Sequence, residues 1–380
     1  MKLAIVLGTR PEIIKMAPVI KELERRIVDF SILHTGQHYS YNLDRVFFEQ
    51  LKLPQSKYNL EVGSGSHAEE TGKMLVGIEN VLLEEKPDVV LVEGDTNSVL
   101  AGALAASKLH IKVGHVEAGL RSYDRNMPEE INRVLTDHCS DYLFAPTEKA
   151  KDTLLGEGIP DDKIFVTGNT IVDAVYQNVE IAREQGNVLT VNRINHPPSP
   201  RGRELERGGN DSLVVEPGKY FLLTLHRQEN VDNQERFASI LKGLDSIAGE
   251  FHLPLIYPIH PRSRKMIKRF NLEPGNLQLI EPLDFLSFLQ LESNARLVLT
   301  DSGGVQEESC ILGVPCVTLR DNTERPETLE AGSNILAGTT PERILECTQI
   351  MLGKKNNWPN PFGDGIAGQR IVNILMEADL

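Results

Sequence analysis

Five short polar stretches in this sequence carry residue types that could do chemistry, and each follows an apolar run. Asp301-Ser302-Gly303-Gly304 ends the run Leu297 to Thr300 and passes into a helical pattern from Val305 to Leu312. Two glycines let the backbone approach a ligand closely, and the unpaired N–H groups of a helix start form a ready anion site. Glu307 and Glu308 fall in the first turns, where a carboxylate can reach a sugar hydroxyl beside bound phosphates. Gly8-Thr9-Arg10-Pro11-Glu12 turns the run Lys2 to Leu7 into a helix with Pro11 suited to its first position. Arg10 and Lys15 gain nothing from the dipole at a helix start, so their placement suits an expected anion. The other three stretches are Gly94 to Asn97, Glu117 to Ser122 and His226 to Asn230.

Each feature also fits a plain structural reading. Strand-to-helix turns need glycine, and Arg10 and Lys15 can be solvated side chains. Asp95 can be an N-cap, His226 a hydrogen-bonded strand-end histidine, and Glu129 with Arg133 an i,i+4 surface pair. Glu307, Glu308 and Glu327 fit the dipole of helix starts, and His115 reads as structural.

The elements that must position these residues alternate between apolar runs and helical patterns. Lys2 to Leu7, Phe30 to His34, Asp88 to Glu93, Ile111 to Val116, Tyr142 to Phe144 and Ile164 to Val166 read as parallel strands of a first doubly wound half. Tyr220 to Leu225, Leu255 to Ile259, Leu277 to Ile280 and Leu297 to Thr300 read as strands of a second half. Residues 1–170 are expected to form the first domain, 171–365 the second, and 366–380 a helix packing back on the first. The Pro-, Gly- and charge-rich stretch at about 195–218 reads as an exposed loop. In open α/β sheets ligands bind beyond the carboxyl ends of strands, so two such halves would bring all five loops to one cleft. That arrangement predicts a negatively charged ligand held by Ser302, Gly303, Gly304, Arg325 and His226, with acids of the first half facing its reactive end.

Composition narrows the function classes. A chain of 380 residues, 40% hydrophobic, can bury a large core. The formal net charge of -14, with no basic stripe, argues against nucleic-acid binding. Four scattered cysteines form no CxxC pair and support neither zinc nor disulfides. No apolar stretch approaches the roughly 18 residues of a membrane span, so a soluble cytoplasmic protein is expected.

The segments GTRPEIIKMAP, VEGDTNS, GHVEAGLRS, PEEINR, TLHRQEN, LTDSGGVQEES and RDNTERPE, in this order, closely resemble the non-hydrolysing UDP-N-acetylglucosamine 2-epimerases over nearly the whole chain. The resemblance implies an α/β fold of two Rossmann-like, doubly wound domains facing across a cleft, similar to GT-B glycosyltransferases. It also implies a homodimer that needs no metal or nicotinamide cofactor and interconverts UDP-GlcNAc and UDP-ManNAc. The implied route is anti elimination of UDP to 2-acetamidoglucal, followed by re-addition with the proton delivered to the other face of C2.

On that resemblance Asp95, Glu117 and Glu129 match the acidic positions that exchange protons. His226 would stabilise or protonate the departing β-phosphate, and Arg10, Lys15 and Arg133 would neutralise charge. Ser302, Gly303 and Gly304 would hold phosphate, Glu308 the ribose hydroxyls and Arg325 the nucleotide end, with Phe288 on the uracil side. The sequence departs from the family pattern at two places. Gln37-His38 matches part of the allosteric substrate segment of many bacterial members, without its later glutamine, and Leu283 stands where some members have a glutamine near the base. A GT-B glycosyltransferase, or an epimerase for a related UDP-N-acyl sugar, is the alternative expectation.

Overall fold

The computed structural model describes residues 1–36, 41–184, 189–192 and 212–378. Its contacts divide the chain into two units, Met1–Tyr176 with Phe362–Leu380, and Gln177–Pro361. The first unit is built on seven strands: β1 (Lys2–Leu7), β2 (Asp29–His34), β3 (Tyr58–Asn59), β4 (Val89–Glu93), β5 (Lys112–Val116), β6 (Tyr142–Ala145) and β7 (Ile164–Val166). They pair in the order β3-β2-β1-β4-β5-β6-β7, every pairing parallel. All five residues of β4, Val-Val-Leu-Val-Glu, are buried. Burial on both faces is why the run is continuously apolar, each fully buried aliphatic side chain contributing roughly 1.5–3 kcal/mol.

The second unit has a hairpin, β8 (Leu189–Asn192) with β9 (Ser212–Val215), and a parallel six-stranded sheet. That sheet comprises β10 (Phe221–Thr224), β11 (Leu255–Pro258), β12 (Gln278–Ile280), β13 (Leu297–Thr300), β14 (Cys316–Thr318) and β15 (Asn334–Leu336), in the order β12-β11-β10-β13-β14-β15. The exposed loop expected at 195–218 is corrected at its end, because Ser212–Val215 is a strand paired antiparallel to β8 and Val215 is buried. Four residues beside a polar tract leave no readable alternation, which is why the sequence hides this strand.

Both sheets reverse their winding once, between β1 and β4 in the first unit and between β10 and β13 in the second. Such reversal points leave a crevice beyond the strand ends. Gly8-Thr9-Arg10 and Gly94-Asp95 flank the first, and His226 and Asp301-Ser302-Gly303-Gly304 flank the second.

Within the first unit, buried polar contacts hold the turns. Glu12, in the helix Arg10–Arg25, accepts from the Gly8 amide at 2.5 Å, the Thr9 hydroxyl at 3.0 Å and the Thr96 hydroxyl at 2.7 Å, tying the turn after β1 to the turn after β4. Burial raises its carboxyl to about 7 despite those donors. The C-terminal helix Ala367–Glu377 buries Ile371, Val372 and Leu375, and Asp173 accepts from the amides of Ala367 and Gly368 at its start. Gly368 lies so close to Pro18 of the helix Arg10–Arg25 that a Cβ there would sit 3.0 Å from the Pro18 carbonyl carbon.

Gly119 has φ +84, and a Cβ there would lie 2.4 Å from the Ala150 carbonyl oxygen. Backbone cannot yield as a side chain can, so Gly119→Ala should destabilise by about 1–3 kcal/mol or more, read as a lowered denaturant midpoint. Glu12 gives a pH-dependent expectation. Its carboxyl titrates at about 7 when folded against 4.5 otherwise, so the stability it contributes is full below pH 4.5 and lost as pH rises through 7. Glu12→Gln cannot titrate, and its stability relative to wild type should rise by on the order of 3 kcal/mol between about pH 4.5 and about pH 8. Urea midpoints across that range check it, and a pH-independent difference would show that Glu12 stays ionised.

Candidate active site

At the first winding reversal two carboxylates meet two cations. Glu117 follows β5 at the start of a turn and is 8% exposed. Its φ is +70, a conformation that costs a non-glycine residue about 1–3 kcal/mol and persists only where its surroundings impose it. The Phe144 carbonyl does so by accepting from both the Glu117 and Ala118 amides, at 3.1 and 3.2 Å. Lys15, one turn into the helix Arg10–Arg25, binds Glu117 Oε2 and lies 3.3 Å from Glu93 Oε1. Glu93, the last residue of β4, is 1% exposed and hydrogen-bonds to Glu117. Burial and the neighbouring Glu117 charge push its carboxyl well above the ordinary range, outweighing Lys15.

Asp95 pairs with Arg133 Nη2, and the Asp95 side chain is about one-third exposed. Asn132 donates to the Asp95 carbonyl at 2.9 Å. Asp95 is not an N-cap, since Thr96 holds that position before the helix Asn97–Lys108. The i,i+4 pairing of Glu129 with Arg133 is likewise absent: Arg133 reaches Asp95 and, at 3.3 Å, Glu130. The Glu129 side chain is exposed and makes no ion pair or hydrogen bond among the described residues. Glu130 is buried and accepts from the Ser122 amide and hydroxyl and the Tyr123 amide, all at 2.9 Å, which fixes the loop after Glu117. Arg10 is exposed and stacks over Phe47, 5.3 Å from the ring centre.

Beneath these groups a buried network joins the turns after β4 and β5. Asp137, in the helix Pro128–Cys139, lies 2.6 Å from His115 Nδ1, accepts from the Gly119 amide at 3.2 Å and pairs with Arg121 at 2.7 Å. His115 Nε2 donates in turn to the Gly94 carbonyl at 2.8 Å. Burial raises the Asp137 carboxyl, but the charges of His115 and Arg121 outweigh that and hold it below the usual carboxylate range.

At the second reversal the fixed point is Asp301, fully buried at the end of β13. It accepts from the His226 amide at 3.0 Å, the Arg227 amide at 2.8 Å and the Asn230 side chain at 3.2 Å, and lies 3.3 Å from His226 Nδ1. The His226 ring thus stays 38% exposed, oriented by a carboxylate behind it and 5.6 Å from the His260 ring. Ser302 is the N-cap of the helix Gly303–Leu312 and makes no side-chain capping bond. Its hydroxyl and the first amides of this ten-residue helix are placed as an anion cradle requires. Glu324 lies beside Gly303, where a Cβ would sit 2.8 Å from its carboxylate, and is neutralised by Arg227 at 2.8 Å and Arg320 at 2.7 Å.

Further along, Arg325 pairs with the buried Glu307 at 2.6 Å. Glu308 hydrogen-bonds to Glu292, which burial and the Glu308 charge push well above the ordinary range. Phe288 packs on the apolar cluster beneath β10 and β13 together with Leu283. The residues Gln37 to Ser40 lie outside the described residues.

The structure therefore brings Lys15, Asp95, Glu117 and Arg133 together at one reversal point, and His226, Ser302, Gly303 and Gly304 at the other. Glu93, Glu130, Asp137, Glu292 and Asp301 were not singled out from sequence. Each reads there as an ordinary strand-end or helix-surface charge, and only Asp301 stood inside a quoted turn.

Comparison with known proteins points one way. Residues 21–376 match the sequence family described as UDP-N-acetylglucosamine 2-epimerase. The UDP-N-acetylglucosamine 2-epimerase of Methanocaldococcus jannaschii is 59% identical over 380 residues, 99% of each chain. A crystal structure of the UDP-GlcNAc 2-epimerase of that organism, in complex with UDP-GlcNAc and UDP, superposes with a TM-score of 0.81 at 56% identity, covering 100% of both chains. The UDP-2,3-diacetamido-2,3-dideoxy-D-glucuronate 2-epimerase of Pseudomonas aeruginosa is 41% identical over 379 residues, 99% of each chain. With its two parallel-sheet α/β units and its match along nearly the full sequence, this chain belongs to the UDP-N-acetylglucosamine 2-epimerase family.

Proposed function

We propose that this protein interconverts UDP-GlcNAc and UDP-ManNAc by eliminating UDP across C1 and C2 and adding it back. The observation that carries the reading is the pairing of two carboxylates, Glu117 with Lys15 and Asp95 with Arg133, at the first winding reversal. Relatives that act on UDP-GlcNAc, at 59% identity, support the same substrate.

C2 of the sugar is not adjacent to a carbonyl, so direct removal of its proton is prohibitive. Breaking the C1–O bond first, with the electron pair leaving on UDP, gives oxocarbenium character that acidifies C2. A carboxylate of the first unit takes that proton, and 2-acetamidoglucal remains with bound UDP. For return, a second acid gives a proton to the opposite face of C2 while the β-phosphate oxygen re-forms its bond to C1. Asp95, Glu117 and the exposed Glu129 fill the acid and base roles, and Lys15 and Arg133 aim the first two.

The second unit's part is to retain UDP. Ser302, Gly303 and Gly304 cradle phosphate, His226 meets the charge growing on the leaving oxygen, Glu308 takes the ribose hydroxyls, and Arg325 and Phe288 face the nucleotide and its base. Arg10 completes the charge balance from the first unit. In this reading the enzyme works as a cytoplasmic homodimer supplying ManNAc-type sugars for surface glycans. The glucuronate-type relative at 41% identity gives a second reading, in which the sugar carries further acylamino or carboxylate groups.

Incubation of the protein with UDP-GlcNAc in D2O should place deuterium at C2 of both sugar nucleotides, followed by NMR. Product without C2 exchange would sink the elimination route, and transfer to an added acceptor would favour a glycosyltransferase. Asp95→Asn and Glu117→Gln should each lower kcat by about 10² to 10⁴, the usual contribution of general acid or base catalysis. UDP-2,3-diacetamido-glucuronate run in parallel separates the two substrate readings by kcat/KM.

A further inference from the structure

A second carboxyl lies under Glu117 that the reaction scheme above does not use. Glu93 ends β4, is 1% exposed, and shares both a hydrogen bond with Glu117 and the ammonium of Lys15. Its Oε1 accepts no well-directed hydrogen bond, an expensive situation for an ionised oxygen out of water. Two touching carboxylates with one cation between them cannot both ionise without strong repulsion.

We propose that Glu93 and Glu117 hold a single proton between them, so that Glu93 is the positioning residue that sets the charge and aim of Glu117. This rests on the epimerase reading of Glu117. With one shared proton the trio Lys15, Glu93 and Glu117 is electrically neutral, and Glu93 donates to Glu117 from beneath. When Glu117 takes the C2 proton, both carboxyls are protonated and Lys15 carries the one remaining charge beside the departing UDP anion. In productive turnover a second acid delivers a proton to the opposite face of C2. Glu117 then loses the proton it took to solvent and the second acid regains one from solvent, which restores the neutral trio and balances the protons. Loss of the shared proton at high pH would instead leave a net negative trio facing a substrate that is itself an anion.

The other groups around Glu93 do not compensate that change. From the helix Arg10–Arg25 only Lys15 and the buried Glu12 face it, and Glu12 raises its carboxyl further. From the β5 side come Glu117 and His115, the latter engaged with Gly94 and Asp137. Asp95, in the turn after β4, is held by Arg133. The helix Asn97–Lys108 carries no charged residue before Lys108 in its last turn.

Glu93→Gln keeps an N–H donor beneath Glu117 but cannot release a proton. The pH profile of kcat/KM for wild type should fall on an alkaline limb, and Glu93→Gln should move that limb up by about one pH unit or more. Glu93→Ala, which removes the donor, should lose about tenfold or more in kcat. A merely structural Glu93 would scale the height of the profile and leave its shape as in wild type, and that result overturns the proposal. The infrared difference between wild type and Glu93→Gln, in which the bands of the buried Glu12 and Glu292 carboxyls cancel, should show the carbonyl band of one further buried protonated carboxyl, with no turnover required. Its absence from that difference also overturns the proposal. Because C2 exchange by wild type tests the epimerase reading and the band tests the shared proton, failure of one is distinguishable from failure of the other.

Discussion

The Asp137 carboxylate is the contact on which the turns after β4 and β5 both depend. It is buried, yet it is ionised, because His115, Arg121 and the Gly119 amide converge on its two oxygens. Through His115 it reaches the carbonyl of Gly94, and so fixes the turn that presents Asp95. Through Gly119 it fixes the turn that presents Glu117 in its left-handed backbone conformation. A buried carboxylate that lost one of its partners would be left uncompensated, which typically costs 3–5 kcal/mol. The turns that carry Asp95 and Glu117 are therefore both held by one group, the Asp137 carboxylate.

Both units solve a related electrostatic problem in the same way. Each sets a carboxylate against a fully buried carboxyl: the buried Glu117 beside Glu93, and the half-buried Glu308 beside Glu292. Burial drives the lower member toward its neutral form, where it becomes a donor instead of a second negative charge. Cations complete the balance where the substrate is expected, Lys15 and Arg133 in one unit and Arg227, Arg320 and Arg325 in the other. A chain with a formal net charge of -14 in this way keeps paired cations beyond the strand ends of both units without a general basic surface.

Much of the fold was legible because its signals are local. The continuous apolar runs of β1, β4, β10 and β13 announce strands buried on both faces, and the glycine turns after them announce helix starts. The placement of Lys15, Asp95 and Glu117 beyond strand ends of the first unit, and of His226 and Ser302 beyond those of the second, followed from the same rule. Two-residue β3 and four-residue β9 escaped notice, since edge pairings this short leave no periodic pattern. Glu93, Asp137, Glu292 and Glu130 escaped for a different reason. Nothing in a helix or strand sequence says that a carboxylate points inward. Their burial is decided by residues 20 or more positions away for Glu93 and Asp137, at Glu117 and His115, and by the loop at Ser122 for Glu130.

The packing of Ala367–Glu377 against the helix Arg10–Arg25 has a consequence for biosynthesis. The opening helix of the chain is covered by its closing one, with the whole of Gln177–Pro361 made in between. A ribosome that has finished the first 176 residues has therefore not yet supplied Ile371, Val372 and Leu375, which shield that surface. The N-terminal unit must wait, apolar face open, while its younger neighbour is translated and folds. Nascent chains stalled within the second unit would be incomplete in the first, and holding chaperones would find their binding surface there.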